Sequence, residues 1–91
     1  MKHAEVRPYA TPEAAARKLL ELATGVTPVQ DGRIHVEKIN YPFIFKLGGS
    51  GPEFGAGIAF AIDRGWLEMH ESRTYVRLLP AGDNLFPRQT A

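Results

Sequence analysis

The chain has no cysteine, one tryptophan and two methionines among its 91 residues. Without cysteine it can form no disulfide, no thiolate zinc site and no cysteine nucleophile. No apolar run approaches the roughly 20 residues that a membrane-spanning helix needs. The first residues also lack the apolar stretch of a secretory signal. From these absences we expect a cytoplasmic protein that does not associate with a membrane.

An excess of either charge is missing too. Eleven Lys and Arg residues face ten Asp and Glu residues, which gives a net charge of +1. Nucleic-acid-binding proteins usually carry a basic surplus or stripe, so the composition does not favour such a partner, although a local patch would allow one. The length and the hydrophobic content of 44% fit one globular domain with a thin core. We predict a flexible arm at 1–10, a single domain at 11–86 and a tail at 87–91.

Two segments carry complete helix signals. Thr11-Pro12-Glu13 places a hydroxyl cap, a proline and an acid at a helix start, and Gly25 supplies a stop. Ser50-Gly51-Pro52-Glu53 repeats this pattern for a second helix, 52–64, which ends before Gly65. The apolar spacing of each segment predicts one buried face per helix, formed by Ala16, Leu19, Leu20 and Ala23 in the first and by Phe54, Ile58, Ala61 and Ile62 in the second.

Three short segments, 33–36, 66–69 and 74–78, alternate like strands, and Glu71-Ser72-Arg73 forms a polar turn between the last two. The segment 37–48 fits two structures. Asn40 can cap a short helix that reaches Lys46, or the alternation of aromatic and aliphatic residues through Phe43 can form a strand. The predicted core consists of Leu19, Leu20, Ile34, Val36, Ile58, Ile62, Trp66, Leu67, Val76 and Leu78.

The second half of the chain resembles the C-terminal half of bacterial winged-helix domains. The resemblance covers roughly residues 50–86 and depends on a helix followed by Gly65-Trp66-Leu67, a polar hairpin, and the step Leu79-Pro80-Ala81-Gly82 before Leu85-Phe86. Leu79 stands where this family often has threonine, so the usual hydroxyl cap is missing. The resemblance implies an α+β fold of three to four helices, a small antiparallel sheet and a C-terminal wing. It also puts helix 52–64 in the recognition-helix position.

The outward side of helix 52–64 is unsuited to reading DNA bases. With the buried face centred on Ile58, it presents Ala56, Ala59 and Phe60, and the donors that base edges require are absent from its first half. A helix that is apolar on nearly every side is usually covered on both faces. We therefore predict a protein interface at these three residues, for a homodimer or a partner protein. The alternative is that segment 37–48, or the arm with Tyr9, folds over them.

A DNA-binding regulator is the second hypothesis, and it depends mainly on the resemblance. Arg64, at the end of the recognition helix, and Arg73 and Arg77, on the wing, would contact phosphates. Glu68 and Glu71 lie on the same hairpin and would cancel much of the field of these arginines.

Neither catalysis nor cofactor binding is predicted. Ser50 and Ser72 are not in a nucleophile elbow, and the glycines around Ser50 lack the pattern of a nucleotide-binding loop. His35 and His70 would give at most a weak metal site if their strands paired, and solvated strand residues are the simpler interpretation. We expect no catalytic, cofactor-binding or metal-binding residues, and a non-enzymatic interaction module.

Overall fold

A computed structural model of the chain describes residues 7–85. This range contains four α-helices and a three-stranded antiparallel sheet, which confirms the predicted α+β class. None of the helices between residues 7 and 85 is long and apolar enough to cross a membrane. The predicted tail at 87–91, and Phe86 at the end of the predicted domain, lie outside the described residues.

Helices and strands follow one another in a mixed order. They are α1 (Pro12–Thr24), β1 (Ile34–His35), α2 (Val36–Tyr41), α3 (Gly51–Asp63), β2 (Leu67–Met69), β3 (Tyr75–Leu78) and α4 (Pro80–Asp83). A 3-10 turn, Gln30–Gly32, precedes β1, and a π-helical segment, Pro42–Lys46, continues α2. β3 is the central strand, and both β1 and β2 pair with it in antiparallel orientation.

Both predicted helix starts are confirmed by their hydrogen bonds. The Thr11 hydroxyl accepts the backbone N–H of Ala14 at 3.1 Å. At α3 the Ser50 hydroxyl accepts the N–H of Glu53 at 3.2 Å, and the Glu53 carboxylate accepts the N–H of Ser50 at 3.0 Å. This reciprocal capping box satisfies two backbone donors that the first turn of a helix leaves without partners.

The predicted core is confirmed except at one position. Ile62 is wrong, because it is 41% exposed. Val36 and Leu78 are partly buried against the core, and the other seven predicted residues are buried. The buried hydrophobic residues are Ala15, Ala16, Leu19, Leu20, Ala23, Ile34, Ile39, Phe43, Ile58, Ala61, Trp66, Leu67 and Val76.

The segment 37–48 is helical, so the strand alternative is wrong. α2 begins directly after β1 and runs through Asn40, which is therefore inside the helix and does not cap it. Phe43 is fully buried, whereas Phe45 is 73% exposed and Leu47 is 39% exposed. A strand with these three side chains on one face would have buried them together.

Helices α1 and α3 approach each other most closely at Gly57. A Cβ atom added there would lie 2.9 Å from the Cβ of Ala15 and 2.9 Å from a methyl group of Leu19. Only a residue without a side chain fits this contact. It also turns α3, because the buried residues Gly57, Ile58 and Ala61 are centred about 50° away from the predicted face, which has Ile58 at its centre, at 100° per residue. Ile62 is turned towards solvent for this reason.

Gly57→Ala is expected to destabilise the fold by about 1–3 kcal/mol, since the new methyl group would force the two helices apart. Gly55→Ala is the matched control, because an added Cβ at Gly55 meets no atom within 4 Å. The control should be neutral or stabilising by up to about 1 kcal/mol through higher helix propensity. Urea denaturation of both variants at low protein concentration measures the difference. Equal stabilities would contradict the close helix contact.

Candidate interaction surfaces

Helix α3 has an apolar side that no other part of the described chain covers. Gly55, Ala56, Ala59 and Ile62 are exposed, and their spacing puts them on one strip of the helix. We call these four residues the outward face of α3. No charged residue lies between Gly55 and Ile62, and Asp63 lies at the C-terminal end of the strip.

Small residues make this face flat and accessible. Added Cβ atoms at Gly51 and Gly55 would meet nothing within 4 Å. These two glycines therefore do not pack closely against another element of the described chain. Tyr9 does not cover the face either, because its ring packs on Phe43 with the centroids 5.0 Å apart. The outward face of α3 is thus an open site for close backbone approach.

Two of the three predicted interface residues, Ala56 and Ala59, lie on the outward face, and Phe60 lies beside it. Phe60 is partly buried against the core, and its ring centroid is 5.6 Å from that of Trp66. The Arg64 guanidinium covers the Phe60 ring at 4.6 Å. Sequence reasoning missed Ile62, because the pattern cannot fix the rotation of a helix that is apolar on both sides.

An ion pair positions the beginning of α3. The Arg7 guanidinium donates to both carboxylate oxygens of Glu53 at 2.8 Å and to the Gly48 carbonyl at 3.1 Å. Together with the Ser50 N–H, Arg7 lowers the pKa of Glu53 from its ordinary 4.5 to about 2. Arg7, which belongs to the predicted flexible arm, thus holds the start of α3. The negative charge of Glu53 is neutralised within the chain.

The three arginines of the DNA hypothesis lie on three different parts of the fold. Arg64 follows α3, whereas Arg73 lies in the β2–β3 turn, and the three residues of β2 between them span about 10 Å. Arg77 forms an ion pair with Glu68, its neighbour across the sheet, and the Arg77 Nε–H donates to Glu68 Oε1 at 3.1 Å. That hydrogen bond raises the pKa of Arg77. Arg73 adopts a left-handed backbone conformation, with φ 64°.

The outer face of the sheet keeps its two histidines apart. His35 pairs with Tyr75, and the His70 N–H donates to the Tyr75 carbonyl, so the tyrosine lies between the histidines. The Tyr75 ring contacts both imidazoles, with its centroid 4.6 Å from that of His35 and 5.9 Å from that of His70. Residues 7–85 contain no group of three His, Asp or Glu side chains that could hold a metal. Both serines have structural hydrogen bonds, Ser50 in its cap and Ser72 with His70 Nδ1.

A second exposed surface was not predicted. Tyr41 is 58% exposed and Phe45 is 73% exposed, and their ring centroids are 5.0 Å apart. Lys38 and Lys46 line an open cavity of about 500 Å³ together with Tyr41, Pro42 and Glu37. We call Lys38, Tyr41, Phe45 and Lys46 the aromatic–lysine surface. Tyr41 and Phe45 are four residues apart, so they lie on one side of a helix, and this spacing indicates the surface once the segment is known to be helical.

Stability should fall as the pH drops from about 4.5 to about 2, in part because of Glu53. Its pKa is lower in the folded protein than in the unfolded chain, so its contribution is present above pH 4.5 and lost as the carboxylate is protonated. Glu53→Gln should reduce the loss over this range in acid unfolding followed by circular dichroism. Glu13→Gln, which breaks the exposed Glu13–Arg17 pair, is the control and should change stability by only a few tenths of a kcal/mol. An unchanged acid transition in Glu53→Gln would contradict this role.

The chain has no significant match among protein-family models, curated proteins or solved structures. No substrate, partner or site residue therefore comes to it from a relative. The chemistry of its own surfaces is the basis on which its function has to be inferred.

Proposed function

We propose that this protein is a non-enzymatic interaction module of the winged-helix type, and that it self-associates through the outward face of α3. The observation that carries the proposal is the uncovered apolar strip of Gly55, Ala56, Ala59 and Ile62 on a helix whose opposite side is already in the core.

The order of the elements supports the winged-helix arrangement. α2 supplies a middle helix between β1 and α3, in the segment for which the sequence left helix and strand open. β2 and β3 form the hairpin that corresponds to the wing. α4 begins at Pro80, and an added Cβ at Gly82 would lie 2.3 Å from the Trp66 carbonyl oxygen, so glycine allows α4 to pack on the start of the hairpin.

The composition of the outward face supports a helix–helix contact. Burial of apolar surface is the main favourable term in association, and contiguous exposed apolar surface marks interaction sites. Small side chains allow two helix backbones to come close, as Gly57 does on the inner side of the same helix. The face also lacks donors for DNA bases, so a nucleic-acid contact would leave base edges without partners.

Charge complementarity favours a second copy as the occupant. Closed dimers have two-fold symmetry, which brings the same surface of both subunits together. When the two-fold axis is perpendicular to α3, the two helices are antiparallel. Asp63, at the C-terminal end of one helix, then lies near the N-terminal end of the other, where the helix dipole favours a negative charge. One helix face is a small interface, so we expect dissociation constants in the micromolar range, about 1–100 µM.

Ala59→Lys is expected to weaken self-association by about 100-fold or more, because a buried, unpaired ammonium group is costly. Lysine is a good helix former and suits the C-terminal half of α3, so folding should be retained. Sedimentation velocity over a range of protein concentrations measures the change. Phe60 is unsuitable for this test, since a charge there would disrupt its packing on Trp66.

Ala81→Lys is the matched control, since Ala81 is exposed on α4 and lies off the outward face. It should leave association unchanged. A wild-type protein that stays monomeric at about 100 µM would contradict the proposal. If α3 is instead a DNA recognition helix, the lysine introduced by Ala59→Lys should raise the affinity for a mixed-sequence duplex at low salt.

A further inference from the structure

The aromatic–lysine surface is held rigidly from below. Phe43 and Ile39, on the other side of the same helical segment, are fully buried. The Phe43 ring packs between Tyr9 and Phe54, with centroid distances of 5.0 and 6.0 Å. The exposed rings of Tyr41 and Phe45 therefore project from a fixed base. Exposed aromatic rings on such a base form a preorganised contact, since little order is lost on binding.

The π-helical segment sets the spacing of this surface. Pro42 has no N–H to donate within the helix, and the Leu47 N–H donates to the Pro42 carbonyl at 2.9 Å, five residues back. The chain then turns at Gly49, which lies directly against the Phe43 ring. The wider turn places Lys46 at the same cavity as Lys38 and Tyr41.

The charges at the cavity have no partners within the described part of the chain. Lys18 is paired with Glu21, whereas no carboxylate between residues 7 and 85 pairs with Lys38 or Lys46. Glu37 lines the same cavity and is likewise without an ion-pair partner among these residues. The site thus offers two ammonium groups, one hydrogen-bond acceptor and two aromatic rings to a ligand.

We propose that the aromatic–lysine surface binds single-stranded RNA. Unpaired bases have open faces that stack on exposed aromatic rings, and neighbouring lysines bind the phosphates. A duplex hides its base faces, and this surface has no planar donor and acceptor pairs for reading groove edges. The Glu37 carboxylate would repel a phosphate but can accept a hydrogen bond from a ribose 2′-hydroxyl, which DNA lacks.

The Glu37 carboxylate at the cavity favours RNA over an anionic membrane. Peripheral membrane binding uses a protruding apolar set that enters the bilayer, with basic residues around it. Here Lys38, Tyr41 and Lys46 line an open cavity of about 500 Å³, and Glu37 lines the same cavity. A negative surface would be repelled by that carboxylate, whereas a single strand can place its hydroxyl there.

Fluorescence anisotropy of the wild-type protein with labelled oligouridylate and oligodeoxyuridylate, each about 12 nucleotides long, tests the proposal. The two strands differ only in the 2′-hydroxyl, and we expect RNA to bind about fivefold more tightly. Glu37→Gln should reduce this preference. The affinity should fall with salt with a slope of about −1.4, as expected for two phosphate contacts on a single strand.

Phe45→Ala and Phe45→Leu should each weaken RNA binding by about tenfold, because both remove the ring and leucine keeps the apolar bulk. The high exposure of Phe45 means that both variants should melt at the wild-type temperature by circular dichroism. Lys38→Gln combined with Lys46→Gln should flatten the salt dependence. Arg64→Gln, which removes a cation elsewhere on the surface, is the control and should bind normally.

Several results would overturn the proposal. No binding of either strand would do so, as would equal affinity for RNA and DNA, or wild-type affinity in Phe45→Leu. Binding to phosphatidylserine vesicles without binding to RNA would assign the surface to a membrane. Loss of binding in Arg64→Gln to the same extent as in the lysine variants would show a non-specific charge effect. Ala59→Lys lies on the other surface, so a monomeric variant should retain its RNA affinity, and a failure of self-association can be told apart from a failure here.

Discussion

The contact between α1 and α3 at Gly57 is the constraint on which the rest of the structure depends. It brings the two longest helices together at a point where α3 contributes no side chain and α1 contributes Ala15 and Leu19. A thin core can be formed in a domain of this size only if such elements pack closely, because a small domain buries a smaller share of its surface. The same contact fixes the rotation of α3, and with it the set of residues that the helix presents to solvent.

The rotation of α3 also decides which of its apolar residues are buried and which are exposed. Gly57, Ile58 and Ala61 are buried, while Ala59 and Ile62 are exposed, although all of them are apolar or small. A surface helix normally has a polar outer side. The packing of residues 7–85 does not account for the absence of polar residues here, because Ala59 is exposed and an added Cβ at Gly55 would meet nothing within 4 Å. The proposed association with a second copy would give these residues a physical role.

Local chemistry made much of the fold predictable. Thr11 and Ser50 each cap a helix because a side-chain oxygen next to proline and an acid is a strong start signal. The hairpin could be located because its strands alternate around a polar turn. Two features could not be read from the sequence. The rotation of α3 depends on how closely α1 approaches, and the helical state of 36–46 depends on the burial of Ile39 and Phe43, and both are tertiary effects.

The position of Trp66 gives the protein a built-in optical reporter. The indole is almost fully buried, with the Arg17 guanidinium 5.4 Å from its ring and Phe60 beside it, so α1, α3 and the start of β2 meet around it. Because the chain has a single tryptophan, all of its tryptophan fluorescence arises from this junction. Emission changes during unfolding therefore follow the separation of α1 from α3. The exposed pair Tyr41 and Phe45 contains no tryptophan, so this signal can be used to monitor the fold while a ligand is bound at the aromatic–lysine surface.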